Sequence, residues 1–312
     1  MLQPNISLLK PEAWSGIWTA LVTPLQQTSS GMVIDLSSLQ NLIEFQISKG
    51  ISGLVIGGST GEGSLLGVGM YEQLLVEVKR IVGKRVPLVA GLGIGGTEAC
   101  LTNAKIAKQW GYDGILASPP AYIKAPQRGL VSHYKRIAAE GLPICLYEIP
   151  GRAASSIEVQ TLKALVNGND AAAKYFVSTK DATGNIERAR HTKELCGAKL
   201  ALLSGDDGTF APFVEAGGIG VISVASHILP KSMKKILTLG MAGKKEQASQ
   251  EQERINPLVD ALFWESNPIP VKSLLAKMGL IKQAHFCDPL CEMQSEKLDK
   301  LVQLSKTIGD AV

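Results

Sequence analysis

Lys180 follows an apolar segment, residues 175–179, and precedes a turn-forming segment, residues 181–184. Lysine is rarely buried without a partner, and burial lowers the pKa of a lysine towards the range in which its free amine attacks carbonyl groups. The position therefore indicates either a lysine that forms a Schiff base or a strand-end lysine that reaches solvent.

Three further features would complement a Schiff-base lysine. The loop at residues 57–63 offers glycines, backbone N–H donors and the hydroxyls of Ser59 and Thr60, which suit a carboxylate. Tyr147 could relay a proton beside an imine, and Arg152 could bind a carboxylate through two parallel bonds. Each feature also has an ordinary interpretation, as a tight turn, a core tyrosine or a surface arginine.

Short apolar segments alternate with segments of helical periodicity along most of the chain. Residues 35–49 and 71–82 are examples of the helical pattern. This alternation predicts a parallel sheet covered by helices, and eight units favour a closed (β/α)8 TIM barrel over an open doubly wound sheet. The eight strand-like segments are residues 16–24, 53–59, 87–93, 114–120, 143–150, 175–181, 199–206 and 219–224.

The position of the candidate residues within such a barrel follows from its geometry. The loops that leave the C-terminal ends of the strands converge at one rim, and TIM-barrel active sites lie there. Lys180, Tyr147 and Arg152 each lie at or just beyond the end of a predicted strand. We therefore expect the candidate residues to share one site.

The chain beyond residue 230 contains only helical patterns, at residues 233–241, 244–264, 270–277 and 291–308. A length of 312 residues is sufficient for a large barrel and an appendage. We therefore expect a barrel that holds the active site at residues 1–229. An all-helical extension, residues 230–312, would pack against it.

Composition excludes several classes of protein. Apolar residues make up 45% of the chain and the net charge is +4, which is ordinary for a soluble globular protein. The sequence has no basic stripe interleaved with aromatic residues, so a nucleic-acid partner is not expected. It also has neither 18 consecutive apolar residues nor a leader pattern at residues 1–12, which predicts a cytoplasmic protein without a membrane segment.

Cysteine and acidic residues do not form a convincing metal site. Five scattered cysteines do not resemble a disulfide framework. His285, Cys287 and Cys291 could bind a metal, but a fourth ligand is not apparent. The pair Asp206 and Asp207 has the pattern of a strand end followed by a helix cap. No metal is therefore expected.

Six segments together resemble the dihydrodipicolinate synthase (4-hydroxy-tetrahydrodipicolinate synthase) family of pyruvate-dependent class I aldolases. Their order and spacing match the family from about residue 16 to residue 280. The segments are Gly-Gly-Ser-Thr-Gly-Glu at 57–62, Tyr-Glu-Ile-Pro-Gly-Arg at 147–152, Lys-Asp-Ala-Thr-Gly at 180–184, Ser-Gly-Asp-Asp at 204–207, Gly-Val-Ile-Ser-Val at 220–224 and Asn-Pro-Ile-Pro-Val-Lys at 267–272.

The resemblance implies a (β/α)8 barrel, commonly a homotetramer built as a dimer of dimers. It implies a lyase that condenses pyruvate with L-aspartate 4-semialdehyde through a lysine Schiff base, giving 4-hydroxy-tetrahydrodipicolinate on the diaminopimelate route to lysine. The chemistry of an iminium ion requires no metal or organic cofactor, because the protonated imine itself withdraws electrons.

The resemblance also implies roles for single residues. Lys180 would form the imine, and Tyr147, Ser59 and Tyr122 would form a proton relay, with Tyr122 reaching in from a neighbouring subunit. The substrate-binding residues would be Thr60 and Ile222 at the pyruvate carboxylate, Gly205 beside them, and Arg152 at the carboxylate of the aldehyde.

The sequence departs from the family pattern at several positions. Ser59 stands where the family usually has Thr, Glu148 replaces Asn, and Ala153 and Ala154 replace Thr-Gly, while residues 285–290 lack the family's apolar pattern. A related aldolase for another 2-keto acid and a catalytically silent barrel therefore remain alternatives. Arg152 favours the lysine-pathway enzyme over the sialic-acid lyase branch.

The segments that bind lysine in inhibited relatives also differ. Those relatives use two adjacent tyrosines, an Asn after the third strand and a His after the loop of the second strand. This chain has Ala121 before Tyr122, only Gly and Ile at residues 93–96, and no His at residues 65–70. Weak or absent inhibition by lysine is therefore expected.

Overall fold

The computed structural model of the protein describes residues 6–308 and Asp310. Eight parallel strands form a closed barrel, in which neighbours along the barrel follow chain order and the first strand pairs with the last. An antiparallel hairpin of two strands, at residues 25–34, lies outside it. The strands in the described residues are β1 (Gly16–Ala20), β2 (Leu25–Thr28), β3 (Gly31–Ile34), β4 (Gly53–Ile56), β5 (Leu88–Gly91), β6 (Gly114–Ala117), β7 (Ile144–Glu148), β8 (Phe176–Asp181), β9 (Ala201–Ser204) and β10 (Gly220–Ser223).

The predicted fold class is confirmed, since each of the eight predicted segments contains one barrel strand. The strands are shorter than the apolar segments, because the chain turns as soon as it reaches the rim. Gly57, for example, has φ of 65°, a left-handed conformation that ends β4 and that glycine adopts without steric cost. The hairpin β2–β3 was not predicted.

Helices form an outer layer around the barrel. Asp35 caps the first of them by accepting a hydrogen bond from the Ser38 backbone N–H at 3.1 Å. The helices are α1 (Leu36–Ser48), α2 (Val68–Val82), α3 (Thr97–Gln109), α4 (Gln127–Ala138), α5 (Pro150–Ala153), α6 (Val159–Val166), α7 (Ile186–Cys196), α8 (Phe210–Glu215), α9 (Pro230–Met241), α10 (Lys245–Ala261), α11 (Ile269–Lys277) and α12 (Ser295–Ile308).

The C-terminal helices continue this layer outward. Helix α9 follows the last barrel strand and packs against β1 and α8, so it occupies the place of the eighth outer helix. Helix α10 packs on α8 and α9, and α12 packs on α10 and α11. The division into units 1–229 and 230–312 stays a prediction, and its residues 1–5, 309, 311 and 312 lie outside the described residues. No described helix combines the length and the apolar character that a membrane span requires.

The barrel interior is packed at its N-terminal end. Trp14 and Trp18 stack there with ring centroids 5.2 Å apart, and Trp14 Nε1 donates to the Leu8 carbonyl at 3.0 Å. Aliphatic side chains such as Val55, Val89 and Leu203 fill the interior further along. Fully burying one such side chain stabilises the fold by about 1.5 to 3 kcal/mol. The open end of the barrel is therefore the C-terminal rim.

Candidate active site

Lys180 lies near the C-terminal end of β8, with 4% of its surface exposed. Its neighbour across the strand pair is Tyr147 on β7, and Lys180 Nζ lies 4.3 Å from the centroid of the Tyr147 ring. Among the described residues, the amine has no carboxylate partner and no hydrogen bond. A buried lysine without a counter-ion is available to attack a carbonyl carbon.

Cys145 lies two residues before Tyr147 on β7, on the same face of the strand, and does not compete as a nucleophile. It is completely buried in the barrel interior, and burial raises the pKa of its thiol to about 12. The nearby ammonium of Lys180 acts in the opposite direction but is the weaker influence. Because only the thiolate is strongly nucleophilic, Cys145 is a poor nucleophile, and Lys180 remains the candidate at this site.

Gly205 gives the Lys180 side chain room to reach the rim. A methyl group on Gly205 would lie 2.8 Å from Lys180 Cε, 3.0 Å from Lys180 Cγ and 2.8 Å from Ala182 Cβ. These distances are well below the 3.5 to 4.0 Å of ordinary carbon contacts. Glycine at this position therefore allows the side chain to pass over the backbone after β9.

The loop at residues 57–63 folds back tightly on the end of β4. A Cβ atom on Gly63 would lie 1.8 Å from the Gly57 carbonyl oxygen, and the Gly63 backbone N–H donates to Gly58 at 3.1 Å. Thr23 Oγ1 donates to the Gly61 carbonyl at 2.7 Å, which fixes the loop to the segment after β1. The loop places the hydroxyl-bearing residues Ser59 and Thr60 in the cavity wall.

One cavity of about 280 Å³ joins these features. Its wall includes six of the residues predicted from the sequence, which are Ser59, Thr60, Tyr147, Arg152, Lys180 and Gly205. The hydroxyls of Ser59 and Tyr147 have no hydrogen-bond partner in the part of the chain that the structure describes. They can therefore exchange protons with a bound substrate.

Asn267 supports both carboxylate-binding candidates, and sequence reasoning assigned it no role. Asn267 Nδ2 donates to Thr60 Oγ1 at 2.9 Å, so the Thr60 hydroxyl can direct its own hydrogen towards a ligand. Arg152 donates from one terminal nitrogen to the Asn267 carbonyl at 2.9 Å, which leaves its other N–H groups for the cavity. Asn267 lines the cavity, and its Oδ1 is buried without a partner. Its place in the 267–272 motif was the only signal available.

A buried ion pair holds the glycine loop from the other side. Lys272 Nζ lies 2.6 Å from Glu62 Oε1, and neither side chain is exposed. Glu62 Oε2 also accepts a hydrogen bond from the Cys287 backbone N–H at 2.8 Å. Burial lowers the pKa of Lys272, and the adjacent Glu62 opposes that shift. Removing either partner would leave an uncompensated buried charge, which costs about 3 to 5 kcal/mol.

Comparison with known proteins assigns the family. Residues 13–308 match the Dihydrodipicolinate synthetase family. The chain belongs to this family. It is 37% identical to the 4-hydroxy-tetrahydrodipicolinate synthase of Bdellovibrio bacteriovorus over 297 residues, which are 95% of this chain and 98% of that protein. The corresponding synthase of Thermodesulfovibrio yellowstonii is also 37% identical, over 95% of this chain and 99% of its own.

Solved structures of the family superimpose on the whole barrel. Dihydrodipicolinate synthase from Aquifex aeolicus has a TM-score of 0.88 and 32% identity, covering 94% of this chain and 98% of that one. The chloride-inhibited synthase from Acinetobacter baumannii, solved in complex with pyruvate, has a TM-score of 0.87 and 35% identity with the same coverage. The predicted family and fold are therefore confirmed.

Two residues to which the family resemblance gave roles lie apart from the cavity wall. Tyr122 is 93% exposed, and its only described anchor is a backbone hydrogen bond to the Ala153 carbonyl at 3.3 Å. Ile222 is buried in the barrel interior, where its side chain packs against the core. Any contact between Ile222 and a ligand would therefore involve its backbone.

The remaining polar candidates have structural contacts. Asp207 Oδ2 accepts the backbone N–H groups of Val224 and Ala225 at 2.9 and 2.8 Å, and burial raises the pKa of Asp207. Asp207 therefore fixes the loop after β10. It does not form the helix cap that its pattern predicted, because the residue before α8 is Thr209 and that end has no side-chain cap. Within residues 6–308 and at Asp310, no three His, Cys, Asp or Glu side chains converge as metal ligands, and this includes the segment of His285 and Cys287.

Proposed function

We propose that the protein is a Schiff-base-forming lyase that condenses pyruvate with L-aspartate 4-semialdehyde to give 4-hydroxy-tetrahydrodipicolinate. The observation that carries the proposal is the unpaired amine of Lys180 beside Tyr147 and a carboxylate-binding loop in a single cavity. Membership of the family supports it, as does the activity named for relatives that align with nearly the whole chain.

The reaction begins at Lys180. Its amine attacks C2 of pyruvate, the carbonyl oxygen leaves as water, and the resulting iminium acidifies the methyl group. Loss of a methyl proton gives an enamine, whose carbon attacks the aldehyde carbon and forms the new C–C bond. The amino group of the second substrate then attacks C2, which closes the ring and releases Lys180.

Proton transfers accompany each of these steps. Tyr147 and Ser59 line the cavity with free hydroxyls, so they would carry protons to the departing oxygen, which leaves as water, and to the new alkoxide. The third member of the relay would be Tyr122 of a neighbouring subunit. Its exposed side chain supports this assignment, because it cannot reach the cavity of its own chain in the observed conformation.

Two carboxylates are bound at different walls of the cavity. The hydroxyl of Thr60, with backbone groups near Gly205 and Ile222, would hold pyruvate. Asn267 Nδ2 donates to Thr60 Oγ1, so the hydrogen of the Thr60 hydroxyl is free to be donated to the pyruvate carboxylate. Arg152 would bind the carboxylate of the aldehyde, because its contact with the Asn267 carbonyl leaves other N–H donors available.

We further propose a homotetramer, built as a dimer of dimers, in the cytoplasm. A relay that needs Tyr122 from a second chain requires at least a dimer. A solved relative, 31% identical with a TM-score of 0.88, is described as the first monomeric dihydrodipicolinate synthase variant, which supports oligomers as the usual state of the family. The cytoplasmic localisation is the one predicted from the sequence.

Product analysis tests this function. The purified protein is incubated with pyruvate and L-aspartate 4-semialdehyde, and in parallel with pyruvate and N-acetylmannosamine, and the products are identified by mass spectrometry. Turnover of the first pair alone is expected. Arg152→Ala should lose about ten- to a hundred-fold in kcat/KM for the semialdehyde, the equivalent of one charge-assisted contact. Turnover of the sugar with no product from the semialdehyde would assign the chain to another aldolase activity.

A further inference from the structure

The segment at residues 149–157, which we call the Arg152 segment, is tied at both ends to Glu148. Glu148 is the last residue of β7, so the segment leaves the barrel directly from its backbone. Its carboxylate then accepts hydrogen bonds from the far end of the segment, from the Ser156 hydroxyl at Oε1 and from the Ile157 backbone N–H at Oε2, 2.5 Å away. One side chain therefore closes the segment into a loop.

Glu148 follows Tyr147 on β7, so it lies next to the pair formed by Tyr147 and Lys180. Adjacent residues in a strand point to opposite faces, so Tyr147 faces the cavity and Glu148 faces the outer helices. The strand register places Glu148 beside Asp181 in the same way that it places Tyr147 beside Lys180. Glu148 is completely buried, and a buried carboxylate is stable only when its oxygens are well paired.

Arg188 of α7 completes the contacts of this carboxylate. Its terminal nitrogen lies 3.8 Å from Glu148 Oε2 and donates to the Ile157 carbonyl at 2.6 Å, while its Nε donates to Asp181 at 3.1 Å. Glu148 and Arg188 therefore bind the same end of the Arg152 segment. Glu148 accepts the backbone N–H of Ile157, and Arg188 donates to the carbonyl of Ile157.

The carboxylate is better suited to this arrangement than an amide would be. Two donors, a hydroxyl and a backbone N–H, approach its two oxygens, and the guanidinium of Arg188 adds a third contact. An amide would place its NH2 group against one of these donors. Burial raises the pKa of Glu148, and Asp181 acts in the same direction, whereas Ser156, Ile157 and Arg188 oppose the shift. Burial raises the pKa of the Tyr134 phenol on α4, and the charge of Glu148 acts in the same direction.

The segment that Glu148 closes is short and includes an unfavourable conformation. Ala154 has φ of 52°, in the left-handed region that non-glycine residues rarely adopt, and it directly follows α5. Arg152 lies two residues before it, and the carbonyl of Ala153 accepts the backbone N–H of Tyr122. The conformation of this segment therefore fixes where the guanidinium lies and supports the loop that bears Tyr122.

We propose that Glu148 is a positioning residue for the second substrate: by closing residues 149–157 it fixes the Arg152 guanidinium where the carboxylate of the aldehyde binds. This inference rests on the proposed function of Arg152. It predicts a selective effect, because Lys180 and Thr60 lie on other elements and receive no hydrogen bond from residues 149–157.

Two variants and a neighbouring control test the proposal. Glu148→Gln replaces one acceptor oxygen by a donor, and Ser156→Ala removes one hydrogen bond. Ser155→Ala is the control, because Ser155 Oγ is buried without a hydrogen-bond partner. The KM and kcat for L-aspartate 4-semialdehyde are measured at saturating pyruvate, together with the rate at which borohydride traps the pyruvate imine and the Tm.

The KM for the semialdehyde should rise about tenfold in Glu148→Gln and about threefold in Ser156→Ala, in line with the loss of one hydrogen bond, and stay unchanged in Ser155→Ala. Imine trapping should stay within about twofold of the parent rate in all three. In an Arg152→Ala background, Glu148→Gln should add little further loss, since both changes act on the same contact.

Several results would overturn the proposal. A lower Tm with an unchanged KM in Glu148→Gln and Ser156→Ala would make Glu148 a purely structural residue. A full additional loss in the Arg152→Ala background would show that Glu148 does not act through Arg152. An equal loss in imine trapping would place its effect on Lys180 instead. An unchanged KM in Arg152→Ala alone would refute the function proposed for Arg152, and with it the premise.

Discussion

Gly205→Ala should impair imine formation more than it impairs the fold. The added methyl group would lie 2.8 Å from Lys180 Cε and 2.8 Å from Ala182 Cβ. Carbon atoms in contact lie about 3.5 to 4.0 Å apart, so the overlap is close to 1 Å. Ala182 is fixed by its backbone N–H, which donates to the Glu148 carbonyl at 2.9 Å. The flexible Lys180 side chain is therefore the group that must move.

The expected magnitude follows from this displacement. Inserting a methyl group into a packed site costs about 1 to 3 kcal/mol of stability. A misplacement of about 1 Å at a reacting group lowers the rate by about a hundred-fold. We therefore expect borohydride trapping of pyruvate to slow by about ten- to a hundred-fold, while the protein stays folded.

Gly208→Ala is the matched control in the same loop. A methyl group there would lie 3.4 Å from its nearest neighbour, Asp206 Oδ1, which is an ordinary contact. Trapping is followed by intact-protein mass spectrometry over time, and stability by urea unfolding. A Gly205→Ala protein that traps pyruvate at the parent rate would refute the inference that this glycine places the lysine.

Three further outcomes are expected. Tyr122→Phe should lower turnover, and mixing it with Lys180→Ala protein under conditions of subunit exchange should restore part of the activity, because one site then regains both groups. An absence of recovery would place Tyr122 outside the neighbour's site. L-lysine should inhibit weakly, so half-inhibition below about 1 mM, or about 4 kcal/mol of binding, at subsaturating pyruvate would reveal an effector site. Burial lowers the pKa of His227 from 6.5 to about 4, and its bond to the Val224 carbonyl only partly opposes this. At His227 the folded state therefore binds fewer protons than the unfolded state in this range, so this residue should lower stability by about 3 kcal/mol as pH drops from 6.5 to 4. Burial also lowers the pKa of His133 to about 4, and that residue adds its own loss. In urea unfolding, His227→Gln should remove the share of His227 and leave that of His133, whereas the exposed control His191→Gln should change neither.

Much of the fold could be predicted because a parallel barrel strand is buried on both faces. Its sequence is then a continuous apolar segment, and eight such segments were recognisable. The hairpin β2–β3 escaped prediction because it lies outside the barrel. Gln26 and Gln27 on β2 are exposed, and its turn lacks the Asn-Gly or Asp-Gly signal of a tight hairpin.

The site was predictable where its residues end strands and not where they depend on distant contacts. Lys180, Tyr147 and Arg152 were found in this way, since strand ends meet at one rim. The contact between Asn267 and Thr60 joins residues 207 positions apart in the chain, and no local pattern encodes such a pair. Glu148 was recognised as a departure from the family. The contacts of its carboxylate could not be inferred from the sequence, because Ser156 and Ile157 reach it only through the path of residues 149–157.

The reaction proposed for this protein requires an imine between Lys180 and pyruvate. Borohydride reduces such an imine to a stable secondary amine, so the purified protein is treated with pyruvate and borohydride and its peptides are mapped by mass spectrometry. One pyruvate-derived adduct is expected, on Lys180, and none in a Lys180→Arg protein. An adduct on another lysine, or no adduct while product still forms, would contradict it.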